Sequence, residues 1–137
     1  MGGGRIVLGW VETGDPVGGF VGNVRVAVLN SNASLRRIMT AQQGAHVVTD
    51  TMGLLLSAQG NMLATYHHRS GQDRLLGASR YDLASDTWSP IVAGAGLTDD
   101  AEIGGAAGNE IGDYVIVWPD ATGHAADQAT LRSRLFE

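Results

Sequence analysis

The chain has 137 residues, enough for one domain with its own core and too few for two of ordinary size. Nine arginines and no lysine stand against fourteen acidic residues, a net charge of −5, which argues against nucleic acid or an anionic membrane surface as partner. Cysteine is absent, which excludes disulfides, thiolate metal sites and a cysteine nucleophile.

No basic stretch followed by an apolar segment follows Gly2-Gly3-Gly4, so no signal peptide is expected. The longest apolar runs, such as Leu54-Leu55-Leu56, are far too short for a membrane span. Cytoplasmic and secreted locations both stay open. The first predicted strand is Gly4-Arg5-Ile6-Val7-Leu8-Gly9-Trp10, followed by a polar, glycine-containing loop over 12–23 and a second apolar stretch over 24–29. Leu35, Ile38 and Met39 fall at helical spacing, making 32–43 the best helical candidate in the chain. The middle of the chain reads as strand 53–57, turn 58–61, strand 62–67, loop 69–73, strand 75–81, turn 82–87 and short strand 88–92. A final strand over 112–118, a loop over 119–128 and an apolar stretch over 129–136 close the chain.

These elements recur. Gly4, Gly60 and Gly112 each open a hydrophobic segment with a polar residue next and a large aromatic six positions on: Trp10, Tyr66 and Trp118. The glycines lie 56 and 52 residues apart. Downstream, Ser79-Arg80-Tyr81 resembles Ser133-Arg134-Leu135. The expected fold is therefore all-β: a single domain over 1–137 built from antiparallel four-stranded units at about 4–50, 51–100 and 101–137. With the first unit starting at its second strand and the last stopping after its third, about two and a half blades result. A β-trefoil or another closed barrel is the compact alternative. An open arc leaves raw edges and an uncovered face, so self-association is expected.

The stretch over 60–91, with Gly60-Asn61-Met62-Leu63-Ala64-Thr65-Tyr66, Ala78-Ser79-Arg80-Tyr81-Asp82 and Thr87-Trp88, resembles the repeats of bacterial β-propeller proteins. Tyr81-Asp82 with Trp88 is similar to the hairpin of kelch repeats, although Thr65-Tyr66 and Val117-Trp118 stand where kelch strands carry a glycine doublet. Of the sialidase Asp-box only Thr87-Trp88 matches, with Leu83 and Ser85 at the Asp and Gly positions. The resemblance implies a propeller-type fold and says little about function.

Among polar clusters, His67, His68, Arg69, Asp73 and Arg74 are the densest and form the candidate ligand-binding loop, suited to an anionic, glycan or protein ligand. The bland alternative is a solvated hairpin loop. His46 and His124 lack ligand-like partners, and Asp99, Asp100 and Glu102 lack a regular calcium-loop pattern, so neither metal nor cofactor is expected. Arg25, Arg80 and Arg134 fall in the third strand of successive units. A sialidase-like hydrolase would need them to converge on a carboxylate beside a tyrosine and an acid, with Tyr66 and Glu12 or Glu110 available. A carbohydrate-binding lectin would need Trp10, Tyr66 and Trp118 exposed, whereas their recurrence fits a core role. No P-loop or nucleophile elbow is present. The expectation is a non-catalytic binding or structural module, with the hydrolase fragment and the lectin as alternatives.

Overall fold

A computed structural model describes residues 5–13, 22–45, 47–70, 73–89, 105–120 and 130–136. Among these there is no helix, and ten strands form three antiparallel sheets. The first sheet holds β1 (Ile6–Thr13), β2 (Gly22–Leu29) and β3 (Leu35–Ala45) in that order. The second holds β4 (Val47–Leu56), β5 (Met62–Ser70), β6 (Asp73–Asp82) and β7 (Thr87–Trp88). The third holds β8 (Gly105–Gly108), β9 (Tyr114–Asp120) and β10 (Thr130–Phe136). Each sheet is a meander, in which every strand pairs with its neighbour in sequence.

The sheets stack face to face, with the second in the middle. Val24, Val26, Val28 and Ala41 of the first sheet pack on Met62, Ala64, Tyr66 and Tyr81 of the second. On the other face of the second sheet, Leu63, Leu76 and Ala78 pack on Tyr114, Ile116 and Trp118 of the third. Strand residues alternate between faces, so β5 serves both interfaces and every residue from Met62 to His67 is buried. That double burial explains its nearly unbroken apolar start, Met62-Leu63-Ala64, where a one-sided strand would alternate. β9 alternates as a one-sided strand does, and β2 does so as far as Val26, after which Ala27 and Val28 are both buried.

The helical candidate over 32–43 is corrected by β3, an 11-residue strand. Pairing with β2 slips at Leu29/Leu35 to Val28/Arg37, and again between Arg25/Thr40 and Val24/Gln42. These bulges break the two-residue alternation and leave apolar residues at a spacing that imitates a helix. Cross-strand hydrogen bonding to β2 then outweighs a weak local preference. The expected loop over 69–73 is shorter as well, because β5 and β6 pair through Ser70 and Asp73.

Three turns at one end share a single geometry. In turn 57–61, Ser57 N–H donates to the Asn61 carbonyl at 2.9 Å and Gly60 N–H donates to the Ser57 carbonyl at 3.0 Å. Turn 30–34 repeats both bonds, from Asn30 to Ser34 and from Ala33 to Asn30, and turn 109–113 repeats the first, from Asn109 to Asp113. The fourth residue is left-handed in each: Ala33 at φ 61°, Gly60 at 94° and Gly112 at 100°. Glycine takes that conformation without steric cost, which is why glycine leads two of these segments.

Side chains tie these turns across the sheets. Asn61 Oδ1 accepts from Leu83 N–H at 2.9 Å, and the Asn61 backbone N–H donates to the Ser57 hydroxyl oxygen at 3.1 Å. Its amide nitrogen donates to the Ile111 carbonyl of the third sheet at 3.5 Å.

Candidate functional site

The expected ligand loop sits at the opposite end of the stack. His67 faces the third sheet, paired across the strands with Leu76, and is 0 % exposed. It belongs to the interior and is closed to a surface ligand. His68, Arg69, Asp73 and Arg74 lie in the paired ends of β5 and β6, and their side chains fall outside the described residues. His46, His124 and the cluster Asp99, Asp100 and Glu102 lie outside them too. Among the described residues, no three His, Asp or Glu side chains are grouped to hold a metal ion.

The three arginines of the hydrolase reading do not converge. Arg25 alternates with Val24 and Val26 and so faces away from the second sheet, where its Nε donates to Glu12 Oε2 at 2.8 Å and its guanidinium also meets Thr40. This pairing holds the Glu12 carboxyl below its ordinary range, through the Arg25 hydrogen bond first. Arg80 pairs with Leu63 and faces the third sheet, and Arg134 pairs with Ile116 on the third sheet's inner face. The register also corrects the match of Ser79-Arg80-Tyr81 to Ser133-Arg134-Leu135. Tyr81 lies opposite Met62 and Phe136 lies opposite Tyr114, so the two triplets are one residue out of step, and one residue reverses the face.

The aromatics behave unequally. Tyr66 and Trp118 are buried, each pointing at the sheet that precedes its own. Burial pushes the Tyr66 phenol up to about 12, against the opposing hydrogen bond with the Ser79 hydroxyl at 3.1 Å. Trp10 has the same position in its segment and the same orientation, but no sheet of the described residues stands there. Ile6, Leu8 and Trp10 are 41 %, 52 % and 37 % exposed, whereas Met62, Ala64 and Tyr66, and likewise Tyr114, Ile116 and Trp118, are buried. Ile38 lies on the same face, across the buried Ala27 from Leu8 in the register, and Ile6, Leu8, Trp10 and Ile38 make an exposed apolar face on the first sheet. At the far side of the stack, the outer face of the third sheet carries Val115, Val117, Pro119, Leu131 and Leu135, the two leucines exposed.

A second feature went unnoticed in the sequence. Between the first and second sheets, at the end that holds the tight turns, an open cleft of about 70 Å³ has an apolar floor of Val7, Val28, Met39, Leu56 and Met62. Arg5, Arg36 and Arg37 stand around it. The bulge opposite Val28 interrupts alternation, so the successive residues Arg36 and Arg37 both reach the cleft. Arg37 is engaged: its Nη2 donates to Asp86 Oδ1 at 2.5 Å and to the Tyr81 hydroxyl, which itself donates to the same Asp86 oxygen at 2.5 Å. The Arg37 guanidinium carbon also lies 5.3 Å from the Tyr81 ring centroid, a cation–π distance. Tyr81 in turn packs against Trp88, their ring centroids 5.3 Å apart. Arg5 and Arg36 have no hydrogen-bond or ion-pair partner among the described residues. The adjacent pair Arg36-Arg37 was the available signal in the sequence, hidden by its placement on an apparent helix.

No protein-family model, curated protein or solved structure matches the chain.

Proposed function

We propose that the chain is a non-catalytic, propeller-type module that assembles head to tail with further copies of itself. The observation that carries this reading is the triplet Ile6, Leu8 and Trp10, exposed where its two counterparts are covered. Each counterpart is covered by the sheet that precedes it. The missing cover for the first sheet is therefore a surface like the outer face of the third sheet, which is itself apolar and open. Joining these two faces is a heterologous contact, and such contacts close into rings when the rotation allows. Two copies bring six sheets, within the usual range for a propeller of four to eight blades. Contiguous exposed apolar surface on a folded chain generally marks an interaction site. In this reading the three sheets are blades.

Light scattering on the purified chain tests the reading. A mass that is a whole multiple of 14.3 kDa is expected, with two copies the smallest ring. A persistent 14.3 kDa monomer overturns it and leaves both faces to be covered by some other sequence.

A further inference from the structure

We infer that the cleft between the first two sheets is a binding site for a small organic carboxylate with an apolar body. Three observations converge on it. First, Arg5 and Arg36 carry full charges at its rim without partners among the described residues, while Arg37 is neutralised by Asp86. Second, the floor beneath them is apolar, formed by Val7, Val28, Met39, Leu56 and Met62. Third, the backbone is shaped around the arginines. The bulge in β3 turns Arg36 to the same side as Arg37. Gly60 leaves the space Arg5 occupies, since a Cβ there would stand 2.8 Å from Arg5 Nη1.

The chemistry selects the ligand class. Guanidinium groups bind carboxylates through two parallel N–H donors, and two free ones suit a single carboxylate approached from both sides. Inorganic phosphate satisfies the arginines and wastes the floor. A neutral apolar molecule uses the floor and leaves both charges unanswered. Only an acid with a short hydrocarbon or aromatic body uses both. The chain as a whole carries −5, so this cationic pocket contrasts with its surroundings. The site lies between two sheets of one chain, so it stands or falls independently of assembly.

The test is a titration of the full chain followed by amide chemical shifts, with benzoate and butyrate as probes and benzamide and inorganic phosphate as comparators. Benzoate is expected to saturate in the millimolar range and to bind about tenfold more tightly than benzamide or phosphate. Arg5→Gln and Arg36→Gln are each expected to weaken benzoate about five- to tenfold, because each removes a charge-assisted pair at an exposed rim. Arg25→Gln, on the outer face of the first sheet, leaves it unchanged. Both cleft arginines are exposed, so the variants retain the parent's circular dichroism and melting temperature. Failure of benzoate to bind at about 10 mM, binding of benzoate as tight in both cleft variants as in the parent, or phosphate binding as tightly as benzoate each overturns the inference.

Discussion

Asp86 gathers the most chemistry onto one side chain. It sits in the left-handed region at φ 56°, which Asp and Asn enter more readily than most residues. From there it receives hydrogen bonds from Arg37 and Tyr81. The Arg37 bond first, then the Tyr81 bond, lower its carboxyl to about 2 from 3.8. A depressed carboxyl stabilises the fold above its unfolded value, and that contribution disappears as the pH falls from about 4 through about 2. The exposed setting keeps the effect small, since solvent screens the pair. Melting temperature followed from pH 5 to pH 2 is therefore expected to fall less steeply in Asp86→Asn than in the parent, because Asn keeps the backbone conformation without the titration. Parallel curves would show that the clamp contributes nothing. Tyr81 and Trp88 were legible in the sequence as a hairpin pair, but the arginine they position lies 44 residues earlier, at a separation no local pattern can reveal.

At the scale of the element, the three matching turns give a graded prediction. Ala33 is the one non-glycine at the left-handed position, where a Cβ costs about 1 kcal/mol. Ala33→Gly is expected to stabilise the protein by about 0.5 kcal/mol, since the gain is offset by the greater freedom of glycine in the unfolded chain. Gly60→Ala and Gly112→Ala run the other way, by about 1–2 kcal/mol of backbone strain. Gly112 is the more sensitive, because its Cβ would stand 2.7 Å from the amide nitrogen of Asn61, which is buried and tied to two other turns, whereas Gly60 faces the flexible ends of Arg5 and Leu83. Gly105 has nothing within 4 Å and serves as the control for glycine replacement in a strand. Denaturant unfolding of the four variants checks the order. Gly60-Asn61 and Gly112-Asp113 were readable as turn signals. Turn 30–34 was not, because alanine occupies its diagnostic position and the bulged strand after it imitates a helix.

For the whole molecule, the decisive comparison is between two leucines. Leu63 is fully buried between the second and third sheets, and Leu63→Ala is expected to destabilise the chain by about 2–5 kcal/mol. Leu8 lies on the uncovered face of the first sheet, so Leu8→Lys leaves the melting of the isolated chain within about 0.5 kcal/mol. Under the assembly proposal the same substitution lowers the mass seen by light scattering to that of one chain. An unchanged mass would move the contact to another surface.

By itself the sequence determined the all-β character, the antiparallel pairing of neighbouring segments and the glycine-led turns, because these follow from local spacing, β-branched and aromatic composition and backbone freedom. The middle unit was nearly complete at that level, since both faces of β5 are buried and its apolar run is unambiguous. Only the tertiary structure decided which face of each strand is inside, how Arg36 and Arg37 come to share a cleft with Arg5, and where His67 lies. Alternation marks two faces of a strand, but burial belongs to the sheet that covers one of them. Ile6-Leu8-Trp10 and Tyr114-Ile116-Trp118 carry the same pattern, and one triplet is exposed while the other is core, because a neighbouring sheet stands beside only the second.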